Sequence, residues 1–78
     1  MAVSTLADLP IDTPAIIERF LGAKPSLTRL RELGLVPGAQ VEVIRRAPLG
    51  EPIEIRLRES HIAMRNADAA FIAVLPIE

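Results

Sequence analysis

Residues 33–38 read Leu33-Gly34-Leu35-Val36-Pro37-Gly38, and the architecture of the chain turns on what these six positions do. Two glycines and a proline this close together fit either a loop that cradles phosphate or two reversals of the backbone. A phosphate loop needs the spacing G-x-x-x-x-G-K-[ST], in which backbone amides surround the anion and a lysine reaches it. Here the glycines are closer, and Ala39-Gln40 stands where lysine and a hydroxyl residue would follow. The reversals win. Gly34 supplies the left-handed residue of a Schellman helix stop, with Leu35 placed to contact Leu30. Pro37-Gly38 then carries the signature of a type II turn, because proline fixes φ at the first central position and glycine accepts positive φ at the second.

Upstream of the stop, Ser26 is placed to cap a short helix over 27–33. Leu27, Leu30 and Leu33 recur at three-residue spacing there, leaving Arg29, Arg31 and Glu32 on other faces. Downstream, residues 40–46 predict a strand with Val41 and Val43 on one face and Glu42 and Ile44 on the other. Ala47-Pro48-Leu49-Gly50-Glu51-Pro52 is a connection, since neither proline donates to a ladder and Gly50 relieves the backbone between them. Ile53, Ile55 and Leu57 alternate with Glu54, Arg56 and Arg58, the period of a strand with one wet face. Glu59-Ser60 should reverse the chain into a strand over 61–65, Asn66 should cap a single turn, and apolar residues 71–75 predict a buried strand ended by Pro76. Residues 15–20 read two ways. Ile16, Ile17, Phe20 and Leu21 recur at helical spacing after Thr13-Pro14, while β-branched Ile16-Ile17 between Pro14 and Gly22 fit a strand. Periodicity alone favours the helix.

Residues 1–78 are the length of one domain, which buries only about 60% of its unfolded surface. Half the residues are apolar, yet only Phe20 and Phe71 are aromatic, so the core must be aliphatic. Without cysteine there is neither a disulfide framework nor a thiolate metal site, which fits a cytoplasmic setting. The net charge of -1 opposes broad capture of nucleic acid, and the absence of Trp and Tyr removes the usual stacking platforms. The longest apolar run, residues 69–77, falls well short of the about 20 residues of a membrane-spanning helix. No Lys or Arg precedes Arg19, so the positive start of a secretory leader is missing.

The segment "RLRELGLVPGAQVEVIRR" at 29–46, with "APLGEPIEIRL" at 47–57, resembles the FeoA family of small cytoplasmic accessory proteins of bacterial ferrous iron uptake. In that family a helix ending R-L-x-E-L-G-L-x-P-G leads into a strand, an A-P-x-G-x-P loop and a second strand. "IAMRNADAAFIAV" at 62–74 is similar to the family's closing L-A-L-R-x-x-E-A-x-x-I-x-V, with Met64 for Leu and Asp68 for Glu. The resemblance spans about two thirds of the chain. It implies a mainly β fold, a small SH3-like β-barrel of about five strands with one inserted short α-helix, and hence a strand at 15–20. Two departures stand out. Glu59-Ser60 occupies the place of the family's Gly-Tyr, and Thr13-Pro14 replaces a glycine before the first strand.

No catalytic or metal-ligating set converges in the sequence. His61 is the single histidine, and a metal site needs three or four ligands. The serines and threonines have only that histidine to share as a base, and Glu51 and Glu54 flank a strand start where solvated charge is ordinary. Eight of the nine basic residues are arginine, which either pair with Glu32, Glu42, Glu54 and Glu59 or present planar forks to a partner. The expectation is a non-catalytic regulatory module with no cofactor and no iron of its own. It is taken to bind the cytoplasmic part of the transporter FeoB through Arg29, Leu30, Leu33, Arg45, Arg46, Pro48, Leu49, Gly50 and Pro52. Loops on a rigid scaffold carry recognition, and two prolines lower the ordering cost of binding. The alternative is the SH3-like module that ends metal-responsive transcriptional repressors, although 78 residues leave no room for the helix-turn-helix such a repressor needs. Self-association through an exposed barrel edge is a further expectation.

Overall fold

A computed structural model describes residues 4–77; the ends of the expected 1–78 domain, residues 1–3 and 78, lie outside the described residues. The ambiguous segment is a strand, β1 (Ala15–Phe20). It runs antiparallel to a C-terminal strand, β5 (Ile72–Pro76), along its whole length, and to β2 (Gln40–Arg46) at Ala15 and Ile16. Six residues are too few to sustain a helix on their own periodicity, whereas two neighbouring strands pair their backbone groups.

The inserted helix α1 spans Pro25–Glu32. Ser26 is not its cap. Pro25, which lacks the N–H that a first helical residue does not need, takes the first turn and makes Lys24 the N-cap. Ser26 lies inside the helix, where its hydroxyl donates to the Asp68 carboxylate at 2.9 Å. At the other end both reversals read from 33–38 are present. Gly34 at φ 112° donates its N–H to the Arg31 carbonyl at 2.9 Å, and Leu35 donates to the Leu30 carbonyl at 3.1 Å. These are the two bonds of a Schellman motif. Ala39 N–H then reaches the Val36 carbonyl at 3.0 Å across Pro37 and Gly38, with Gly38 at φ 93°.

β3 (Ile53–Leu57) and β4 (Ser60–Met64) complete one sheet of order β4-β3-β2-β1-β5, antiparallel throughout. The β3–β4 reversal is Arg58-Glu59, one residue earlier than expected. This register sets Ile62 opposite Ile55 and Met64 opposite Ile53; a slip of one residue would turn His61 and Ala63 inward instead. Arg58 takes φ 57° there, a left-handed conformation that a residue with a Cβ adopts at a cost. Arg58→Gly is therefore expected to stabilise the chain by about 1 kcal/mol, a rise in Tm of roughly 4–8 °C by calorimetry.

Asn66 opens α2 (Asn66–Ala69) as its first helical residue, with Arg65 as the N-cap, so the expected Asn66 cap is replaced by a contact from elsewhere. Its backbone N–H is satisfied by the Glu51 carboxylate at 2.6 Å. Phe71 does not begin the last strand. It lies in the preceding turn, 36% exposed, with its carbonyl accepting from Leu21 N–H at 2.7 Å. Within β5, Ile72 and Val74 enter the core, Ala73 on the opposite face is buried as well where Thr5 bridges to it, and only from Leu75, 54% exposed, does the apolar run meet solvent.

The principal extents, 28 × 27 × 26 Å, are nearly equal. A flat five-stranded sheet would be a slab, so this one curls around its contents, helped by irregularities at Ile17/Arg19 and Val43/Arg45. The core is aliphatic, as the composition requires, and both phenylalanines lie outside it. One contributor was unassigned in the sequence. Residues 4–6 run beside β5 through Leu6 N–H to the Ile72 carbonyl and Val74 N–H to the Ser4 carbonyl, Ile11 and Asp12 reach β2 where Asp12 N–H donates to the Val43 carbonyl, and the segment buries Leu6 and Leu9.

Candidate functional site

The connection after β2 is folded back on itself. Gly50 N–H donates to the Ala47 carbonyl at 2.7 Å, and Ala47 N–H to the Pro52 carbonyl at 3.2 Å. The same loop is tied to α2, because Asn66 Nδ2 donates to the Gly50 carbonyl at 2.9 Å while Glu51 accepts from Asn66 N–H. That Asn66 N–H is a first-turn donor with no partner inside the helix, which the carboxylate satisfies. These bonds hold the stem of a short loop, and they leave Leu49 at its tip 97% exposed. Full burial of a leucine is worth about 1.5–3 kcal/mol, so a pinned loop that holds one in water offers that stabilisation to whatever covers it.

The remaining candidates separate by environment. Pro48 and Pro52 are exposed on the same loop, and Leu33 is 54% exposed where the chain leaves α1. Leu30 is 3% exposed and packs in the core with Leu27 and Leu35, so its side chain has no surface to give a partner. Arg45 is ion-paired with Glu54 across the β2–β3 ladder at 2.7 Å. Arg46 Nη2 donates to the Leu9 carbonyl at 2.8 Å and so holds the N-terminal segment against the sheet. Arg56 pairs with Glu42 at 3.2 Å, a second cross-strand pair of the kind the charge pattern allowed.

Arg29 and Pro52 meet in one place. A cleft of about 480 Å³ opens between α1 and α2, lined by Lys24, Ser26 and Arg29 on one wall, Ala67 and Asp68 on the other, and the end of β4 with Pro52 below. Lys24 and Arg65 were missed from sequence. They flank the elements whose periodicity was read, and only the packing of α1 against α2 brings them together. Lys24 reaches Asp68 at 3.3 Å, and its ammonium lies 4.5 Å from the centre of the Phe71 ring. Arg31 stacks over Phe20 at 4.4 Å. His61 is exposed on β4 opposite Arg56. Among the described residues no three His, Cys, Asp or Glu side chains group as metal ligands, and no helix is long and apolar enough to cross a membrane.

The comparisons with known proteins agree with this geometry. The FeoA domain family model matches residues 4–76. An Fe(2+) transport protein A/Fe(2+) transporter FeoB fusion protein of Porphyromonas gingivalis is 33% identical over 69 residues; the match covers 88% of this chain and 8% of that protein. The chain thus spans a small fraction of that relative's length. The FeoA protein of Chlorobium tepidum is 36% identical with a TM-score of 0.88, over 96% of this chain and 71% of that one. FeoA of Stenotrophomonas maltophilia, a prokaryotic SH3 domain protein solved with zinc, is 32% identical with a TM-score of 0.78, over 91% and 88% of the two chains. The IdeR protein of T. acidophilum shares the fold alone, at 20% identity and a TM-score of 0.83 over 99% of this chain and 35% of that one. An SH3-like curled sheet, a helix stopped at Gly34 and the family model across residues 4–76 together make this chain a member of the FeoA family.

Proposed function

We propose that this chain is a non-catalytic accessory of ferrous iron transport that docks on the cytoplasmic part of the transporter FeoB and adjusts its activity. The observation that carries this reading is the Porphyromonas gingivalis relative, in which a homologous segment and the transporter share one polypeptide. Joining two modules makes their association intramolecular and raises the effective concentration of each at the other, an arrangement that suits partners which must meet. The contact is made by the Leu49 loop, with Pro48, Gly50 and Pro52 shaping it, and by exposed Leu33 and Arg29 of the α1 region. Arg45 and Arg46, already engaged with Glu54 and Leu9, support the base of the loop. The likeness to IdeR is one of fold and brings no repressor role with it.

The test is surface binding of the full chain to the immobilised cytoplasmic part of the transporter from the same organism, with and without bound nucleotide. Saturable binding at about micromolar Kd is expected in at least one nucleotide state. Absence of binding in every state would remove the proposed mechanism.

A further inference from the structure

The cleft between α1 and α2 has a charge pattern that the fold itself does not require. Its lining sets three cations, Lys24, Arg29 and Arg65, against one carboxylate, Asp68. That carboxylate is already satisfied by the Ser26 hydroxyl at 2.9 Å and the Lys24 ammonium at 3.3 Å. Arg29 and Arg65 form no ion pair among the described residues, whereas Arg19, Arg45 and Arg56 each hold a glutamate. The chain does not lack acids, with ten for nine bases. Arg31, Arg46 and Arg58 also form no ion pair among the described residues, but Arg31 lies over the Phe20 ring and Arg46 donates to the Leu9 carbonyl, whereas Arg29 and Arg65 stand together at one opening of a chain of net charge -1.

Between these cations the lining is short and apolar, formed by Pro52, Ala63, Met64 and Ala67. A guanidinium fork matches a carboxylate in two parallel hydrogen bonds, and a partly enclosed cleft strengthens such pairs relative to open water. The small apolar floor asks for a side chain beside those carboxylates, which a polypeptide supplies. Nucleic acid fits poorly, since its binding draws on a wide cationic surface and on stacking, and no aromatic residue lines the cleft.

We infer that the α1–α2 cleft receives an acidic peptide segment of the docking partner, with Arg29 and Arg65 each engaging a carboxylate and Ala63, Ala67 and Pro52 receiving an apolar side chain between them. This assignment rests on the docking reading above and names the chemistry of the segment that enters. Pro52 belongs to both features, so one partner can cover the Leu49 loop and fill the cleft in a single approach.

The experiment is a titration of the full chain, followed through its backbone amide resonances, with a short end-blocked peptide alternating glutamate and leucine. A peptide with lysine for glutamate, inorganic phosphate and a short single-stranded DNA are titrated in parallel. Saturable shifts are expected at 24–29 and 63–68 with the acidic peptide. Affinity should fall about tenfold or more in Arg29→Glu/Arg65→Glu and in about 0.5 M salt, and stay unchanged in Arg58→Glu, which lies outside the cleft. Dispersion of the variant's spectrum shows that it remains folded. Shifts elsewhere, equal binding of the lysine peptide, phosphate or DNA, or an affinity within about twofold after double reversal would overturn the assignment. The two readings fail separately. A wild-type chain that binds the peptide in the cleft but not the transporter defeats the docking reading alone. A double-reversal variant that keeps full transporter affinity defeats the cleft assignment and takes Arg29 out of the contact, while docking through the Leu49 loop stands.

Discussion

Gly34→Val is expected to lower the unfolding free energy by about 3 kcal/mol, a large part of the roughly 4–12 kcal/mol that a chain of this length possesses. Two effects add at this position. Gly34 sits at φ 112°, where an L side chain is strained and a β-branched one most of all. A Cβ built there lies 3.1 Å from Leu57 Cδ2, against a side chain that is itself 5% exposed and packed in the core. Gly38 separates the two effects, because its φ of 93° carries similar strain while nothing stands within 4 Å of its Cβ position. Gly34→Ala should cost about 2 kcal/mol and Gly38→Ala about 1 kcal/mol in denaturant unfolding at constant m. Equal costs at the two glycines would mean that close approach to Leu57 contributes nothing, and that the stop at 33–38 is shaped by backbone geometry alone.

Leu49→Ala is expected to weaken transporter binding by about 30-fold, close to 2 kcal/mol, and to change stability by less than about 0.5 kcal/mol. The second half of that statement follows from its 97% exposure: truncation removes no internal contact worth measuring. Leu30→Ala is the contrasting case, because Leu30 is 3% exposed and its loss opens a cavity costing about 2–4 kcal/mol. Any effect of Leu30→Ala on binding should disappear once the fraction folded is accounted for, and that of Leu49→Ala should not. A Leu49 variant that bound as well as wild type would place the contact elsewhere on the molecule.

Much of the fold could be read in the sequence because its punctuation is local. Gly34, Pro37 and Gly38 each dictate a backbone conformation within a few residues, and the alternation of Val41 with Glu42 or Ile53 with Glu54 is a two-residue signal. Residues 15–20 resisted this treatment, since the spacing of Ile16, Ile17 and Phe20 favours a helix while the pairing that makes them a strand belongs to β5, more than fifty residues on. The resemblance to the FeoA family decided what periodicity could not. Leu30 and Leu33 share one stripe in the sequence and separate in the structure, because α1 ends at Glu32 and the turn at Gly34 leads Leu33 outward. Ser26 and Asn66 were read as caps by residue type. Pro25 displaced the first, and the carboxylate of Glu51, fifteen residues away, took over the second. The cleft was illegible for the same reason, as Ser26 and Asp68 are 42 residues apart and nothing near either announces the other.

The most direct test of the docking account is amide hydrogen exchange of the chain, free and bound to the cytoplasmic part of the transporter. Added protection is expected over 48–52, at the exposed end of α1 and along the α1–α2 cleft, with the Arg58-Glu59 hairpin exchanging as it does in the free chain. Protection centred on that hairpin or along residues 4–12, with the Leu49 loop unchanged, would contradict it.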